Sequence, residues 1–206
     1  MIKYVIFDFD GTLVDSKKAF VSSWNILAKK YHFNELKMTD LEAMKKLSMK
    51  ERSKRLNFPL YKIPFVIPKF YKLYQSSIHE IKIIDGIKEM LQKLDEKGYK
   101  SAIISSNSQE NISTFLKDNH VTGITKVLCS SSIFGKDKLI NRFLKDNRLA
   151  ASEVIYVGDE QRDIIACKQT GVKMIWVGWG YDSIEVVEKM KPDYKVYKPD
   201  EILNLL

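Results

Sequence analysis

Two aspartates stand two residues apart in Phe7-Asp8-Phe9-Asp10-Gly11-Thr12-Leu13. Residues i and i+2 of an extended segment point the same way, so Asp8 and Asp10 can face one pocket. Two carboxylates that close repel unless a cation lies between them or one is protonated. The pair suits a nucleophile and a general acid/base beside a metal. A second polar group, Ser105-Ser106-Asn107, follows Ile103-Ile104. A hydroxyl and main-chain N–H groups at such a turn can hold phosphate oxygens. A third is Lys136 in Gly135-Lys136-Asp137-Lys138. An ammonium at a helix start opposes the helix dipole, a placement that makes sense if it balances carboxylates and a phosphate. A fourth is Gly158-Asp159-Glu160-Gln161-Arg162-Asp163. Asp159 ends an apolar run, and Asp163 lies one helical turn further on the same face. Hard oxygen ligands of this kind suit Mg²⁺.

Each pattern alone has an ordinary reading. Asp-Gly is a common turn, Ser106, Asn107 or Ser108 can cap a helix, Lys136 is one of 29 lysines, and Asp159 can be an N-cap. The elements around them decide their weight. Tyr4-Val-Ile-Phe is a short β-branched and aromatic run that reads as a buried parallel strand. From Asp85-Gly86 onward strands and helices alternate. Helices are expected at 86–97, 108–118, 136–147 and 161–170, with strands at 99–105, 125–130, 153–158 and 173–178. A last strand and helix close the chain. This alternation predicts an α/β fold, a Rossmann-like parallel sheet with helices on both faces. Right-handed crossovers put every strand's C-terminal end on one edge, where open α/β sheets bind ligands. All four polar groups then fall on that edge.

Residues 17–80 read as all-helical, with Phe20, Trp24, Leu27, Ala28 and Tyr31 at helical spacing and an interruption at Pro59–Pro68. The expected organisation is a core domain of residues 1–14 and 82–206 with a small α-helical cap domain, 15–81, inserted after the first strand end.

Taken together, the four groups resemble the motifs of the haloacid dehalogenase superfamily, over essentially the whole chain. The branch with small helical caps that includes phosphoglycolate phosphatase is the most similar. The resemblance implies that Asp8 attacks phosphorus and Asp10 works as general acid and base. It implies that Ser105, Ser106 and Asn107 hold phosphoryl oxygens beside Gly11 and Thr12, and that Lys136 balances their charge. Asp8, Asp10 through its carbonyl, Asp159 and Asp163 would hold Mg²⁺. Lys138 is the rival for the lysine role. In the cap, Lys50, Arg52 or Arg55 would read a substrate carboxylate or second phosphate; in the core, Trp179 and Tyr181 follow a strand end and would wall the pocket or pack. The implied reaction is hydrolysis of a small phosphomonoester. Phosphotransfer of the mutase kind remains open, whereas Asp10 argues against dehalogenation.

The composition, 45% hydrophobic and 29% charged, is globular. Of the net +8, residues 16–79 carry 14 Lys/Arg against four acids. That basic segment could steer an anionic substrate or touch nucleic acid; intact Asp8, Asp10 and Lys136 argue against a purely binding role. Cys129 and Cys167 fit no metal spacing and are expected as two buried thiols of a reducing cytosol. No apolar run approaches the ~18 residues of a membrane helix. The expectation is a cytoplasmic enzyme, monomer or homodimer, acting on a small phosphorylated metabolite.

Overall fold

The computed structural model describes residues 1–130 and 135–206. Its main sheet has strands β1 (Tyr4–Phe7), β4 (Lys100–Ser105), β5 (Ile124–Cys129), β6 (Val154–Gly158), β7 (Lys173–Val177) and β8 (Tyr194–Val196). The order is β5-β4-β1-β6-β7-β8, and every pairing is parallel. The chain steps from β1 to β4 on one side and later returns to β6 on the other. The strand order therefore reverses at β1, the place where a crevice opens above the strand ends.

Period-2 alternation decides which side chain meets which layer. Val5 and Phe7 point to one face with Ile103 and Val157. They pack there on α5 (Ile87–Glu96) and α6 (Gln109–Asp118), through residues such as Met90, Leu94, Ile112 and Phe115. Tyr4 and Ile6 point to the other face with Ile104 and Tyr156. They meet α7 (Lys136–Asn147) and α8 (Gln161–Thr170) through Ile140, Phe143, Ile164 and Cys167. The final helical segment, 199–205, is a 3₁₀ helix.

The helical block is α1 (Lys17–Tyr31), α2 (Leu41–Lys45), α3 (Met49–Arg55) and α4 (Ile63–Ser76). At its base β2 (Val14–Asp15) pairs antiparallel with β3 (Lys82–Ile83), a pair too short to read from sequence. Helix α1 stops at His32, in the left-handed region at φ 56°, whose N–H bonds the Ala28 carbonyl. Helix α3 starts on a reciprocal cap between Ser48 and Glu51. Prolines do not delay α4 as the sequence suggests. Pro64 sits in the first turn, where its missing N–H has no intrahelical partner to lose. Pro68 forfeits one early bond, and burial of Val66, Phe70 and Tyr74 at fourfold spacing holds the helix through it. Among the described residues no helix is long and apolar enough to cross a membrane.

Candidate active site

Asp8 follows β1 directly and is buried, 2% exposed. Its Oδ1 accepts from the Phe9 N–H at 2.7 Å, and its Oδ2 accepts from Lys136 Nζ at 2.6 Å. Lys136, the first residue of α7, also reaches Asp163 Oδ1 at 2.5 Å. All three side chains are within 2% of full burial. Burial opposes the ammonium, but Asp163 and Asp8 outweigh it and hold the lysine pKa above its ordinary value. Lys138 is exposed.

The Asp10 carboxylate turns toward the helical block. It accepts from the Tyr74 hydroxyl on α4 and from Asn107 Nδ2, the latter at 2.9 Å. Ser105 is buried at the end of β4, and its Oγ accepts from the Asn107 N–H at 3.2 Å. Ser106 Oγ accepts from Arg162 Nη1 at 2.9 Å. Arg162 also pairs with Glu160. Sequence reading passed over Glu160 and Arg162, although both stand inside the fourth motif. It also missed Tyr74, which gives only the signal of an aromatic residue at core spacing.

Asp159 is fully buried and tied into the protein at both oxygens. Thr12 Oγ1 donates to Oδ1 at 2.9 Å, and the Tyr181 N–H donates to Oδ2 at 2.6 Å. Two glycines make room for it. Gly11 has φ +78°, and a Cβ there would lie 2.5 Å from Asp159 Oδ2; a Cβ on Gly180 would collide with the same side chain. Burial, then the neighbouring carboxylates Glu160 and Asp8, push the Asp159 pKa well up. Burial likewise pushes Asp163 up to about 6, with Lys136 pulling the other way. For Glu160, Arg162 and Lys136 overcome burial and lower the pKa.

Among the described residues, Asp8, Glu160 and Asp163 bring carboxylate oxygens within 4.8 Å of one another. Crowded hard oxygens fit a small divalent cation such as Mg²⁺. Of the four residues expected around the ion, Asp8 and Asp163 belong to this group. Asp159 lies beside it with both oxygens hydrogen-bonded, and the Asp10 side chain faces away toward Tyr74.

The cap residues separate. Arg52 donates Nε to the Met44 carbonyl at 2.9 Å and Nη2 to the Tyr181 carbonyl at 3.1 Å, and it pairs with buried Asp182. Asp182 Oδ2 in turn accepts the Gln161 N–H at 2.7 Å, which links the block to the start of α8. Arg52 also lines the cavity above Asp10, as does Tyr181. Lys50 is exposed and outside that lining. Arg55 faces Asp40 at 3.8 Å. Trp179 donates to the Thr12 carbonyl at 3.0 Å. Cys129 and Cys167 are free thiols; Cys167 is buried as expected, whereas Cys129, at the end of edge strand β5, is only partly so.

Removing the Tyr74 hydroxyl tests its hold on Asp10. Tyr74→Phe is expected to lower kcat by about 10-fold, the order of one charge-assisted hydrogen bond, and to change the alkaline or acid limb of the pH–rate profile. An unaltered kcat and profile would show that the contact has no part in turnover.

The family model for haloacid dehalogenase-like hydrolases matches residues 5–177. The chain belongs to this family and is a hydrolase. A phosphoglycolate phosphatase from Synechococcus elongatus is 25% identical over 201 residues, spanning 97% of this chain and 95% of that one. A pyrophosphatase from Bacillus mycoides is 23% identical over 211 residues, spanning 100% and 97%. The solved structure of a haloacid dehalogenase-like family hydrolase from Streptococcus pneumoniae superposes with a TM-score of 0.82 at 22% identity, covering 99% of this chain and 98% of that one. At that identity the superposition speaks for the fold.

Proposed function

We propose that the chain is a Mg²⁺-dependent phosphatase that hydrolyses a small phosphomonoester through an aspartyl-phosphate on Asp8. One observation carries this reading: Asp8 is buried at the central strand end, paired with Lys136, with Asp10 facing a cavity under the helical block. An Asp8 carboxylate oxygen attacks phosphorus, and the bond to the ester oxygen breaks. Asp10 supplies the proton that oxygen takes up. Asp10 then accepts a proton from the water that attacks the aspartyl-phosphate, releasing inorganic phosphate and restoring Asp8. Ser105 and the main chain at Ser106 and Asn107 position phosphoryl oxygens, and Lys136 offsets the charge that builds up beside Asp8. Asp8, Asp10 through its main-chain carbonyl, Asp159 and Asp163 would hold the ion, with Glu160 in reach. When bound, Mg²⁺ supplies charge neutralisation for the phosphoryl group and its carboxylate surroundings. Residues 15–81 act as the cap over this centre. The reading carries a small phosphorylated metabolite as substrate, in the cytoplasm, with the chain a monomer or homodimer.

The test is phosphate release from a panel of small phosphate esters. Release is expected with Mg²⁺ and is expected to fall to background with a chelator; release that ignores the chelator would overturn the metal assignment. Mg²⁺ is also expected to raise Tm, because a ligand that binds the folded state at about 100 times its Kd stabilises by about 2.7 kcal/mol. In Asp163→Asn that rise should shrink, as followed by differential scanning calorimetry.

A further inference from the structure

The cavity beside Asp10 has a volume of about 210 Å³. Its walls are mainly apolar, built from Phe20 and Trp24 on α1, Leu56 and Phe58 after α3, and Val66 and Phe70 on α4. Most of the polar groups that line it are engaged with the protein, and the Tyr71 hydroxyl adds one neutral polar group to the wall. Among the described residues its lining cations are Arg52 and Arg162. The first is committed to Asp182 and main-chain carbonyls, the second to Glu160 and Ser106. The Tyr74 hydroxyl serves Asp10, and the Tyr181 hydroxyl meets Ser16 at 2.9 Å. A carboxylate or second phosphate placed here would lose its water among mainly apolar walls, beside guanidinium groups already paired with Asp182 and Glu160. A hydrocarbon would gain burial.

We propose that this cavity receives the leaving group of the substrate and that the leaving group is apolar, a ring or branched chain. The proposal rests on the phosphatase reading above and deepens it. Asp10 lines the cavity and serves the ester oxygen, so the leaving group's first atoms start at its mouth. An apolar cavity of about 150 Å³ holds a benzene ring, so the space here accepts one ring with a few attached carbons. Substrates with a second anion in the leaving group, such as the ester 2-phosphoglycolate or the anhydride pyrophosphate, are then poor.

The experiment compares ethyl, hexyl and phenethyl phosphate with 2-phosphoglycolate and pyrophosphate, each with Mg²⁺. The three alkyl esters leave as alcohols of similar acidity, so differences among them report binding rather than intrinsic reactivity. Phenethyl phosphate is expected to exceed ethyl phosphate in kcat/KM by about 10- to 100-fold, the return on burying one ring. The two competitors that carry a second anionic group are expected to fall below phenethyl phosphate. Hydrolysis in which ethyl phosphate equals phenethyl phosphate, or in which 2-phosphoglycolate or pyrophosphate leads, overturns the proposal and leaves the phosphatase reading standing. Hydrolysis of none of the five overturns both. Met49 also lines the cavity and is only partly buried, so Met49→Lys brings a cation to the wall at small risk to folding. The ratio of kcat/KM for 2-phosphoglycolate to that for phenethyl phosphate should rise by about 10-fold or more; an unchanged ratio counts against the proposal.

Discussion

Asp8→Asn is expected to lower phosphate release by about 10⁴-fold or more, the scale seen when a covalent nucleophile is removed. The amide is nearly isosteric, and it can still accept the Phe9 N–H that Asp8 holds. Lys136 keeps its second partner, Asp163. The amide NH2 then faces the Lys136 ammonium, which should cost about 1–3 kcal/mol of stability; the far larger fall in turnover is one of chemistry. Acid-quenched parent enzyme should carry the mass of one phosphoryl group on the peptide containing Asp8, and the variant should carry none. Full turnover in the variant would remove Asp8 from the mechanism.

Lys136→Met should affect both stability and activity. The ammonium sits between two carboxylates, and all three side chains are almost wholly buried. Removing one member of a buried ionic cluster leaves uncompensated charge, which costs about 3–5 kcal/mol. Urea denaturation in the presence of a chelator should show that loss as a lower midpoint. Activity should fall by about 10²- to 10³-fold, the range found when a preorganised group that stabilises developing charge is deleted. Lys138→Met supplies the control. That side chain is exposed, so its effect on stability should lie within about 0.5 kcal/mol. Equal effects of the two substitutions would contradict the central place given to Lys136.

The contrast between these lysines shows what sequence can carry. Lys136 and Lys138 are indistinguishable by type. The helix start at Lys136 favours it, but only the packed structure puts it in contact with Asp8, 128 positions away. The sheet was legible because its signal is local: β-branched and aromatic runs, each ending in a polar group, alternate with helical periodicity. The convergence of Asp8, Ser105 and Asp159 on one edge follows from that alternation and from the handedness of crossovers. Arg52 was less legible. A basic residue in a charged helical turn gives no sign that its guanidinium will be taken up by Asp182, 130 positions on. Tyr74 shares a spacing with Phe70 that marks the core face of α4, and nothing in that spacing separates a packing tyrosine from one that bonds Asp10. The helix through Pro68 depended on tertiary burial overriding a local breaker.

The place of β1 in the sheet has a consequence for how the chain is made. This strand emerges first yet ends in the middle, flanked by β4 and β6. Its second neighbour begins only at Val154. At ribosomal rates of about 5–20 residues per second, roughly 8–30 seconds separate the appearance of β1 from that of its last partner. During that interval Tyr4-Val-Ile-Phe is an apolar strand with an open edge, the form most prone to pair with the wrong chain. The helical block, with 14 Lys/Arg against four acids among residues 16–79, follows it in the chain, and like charge of that kind opposes close approach of neighbouring copies.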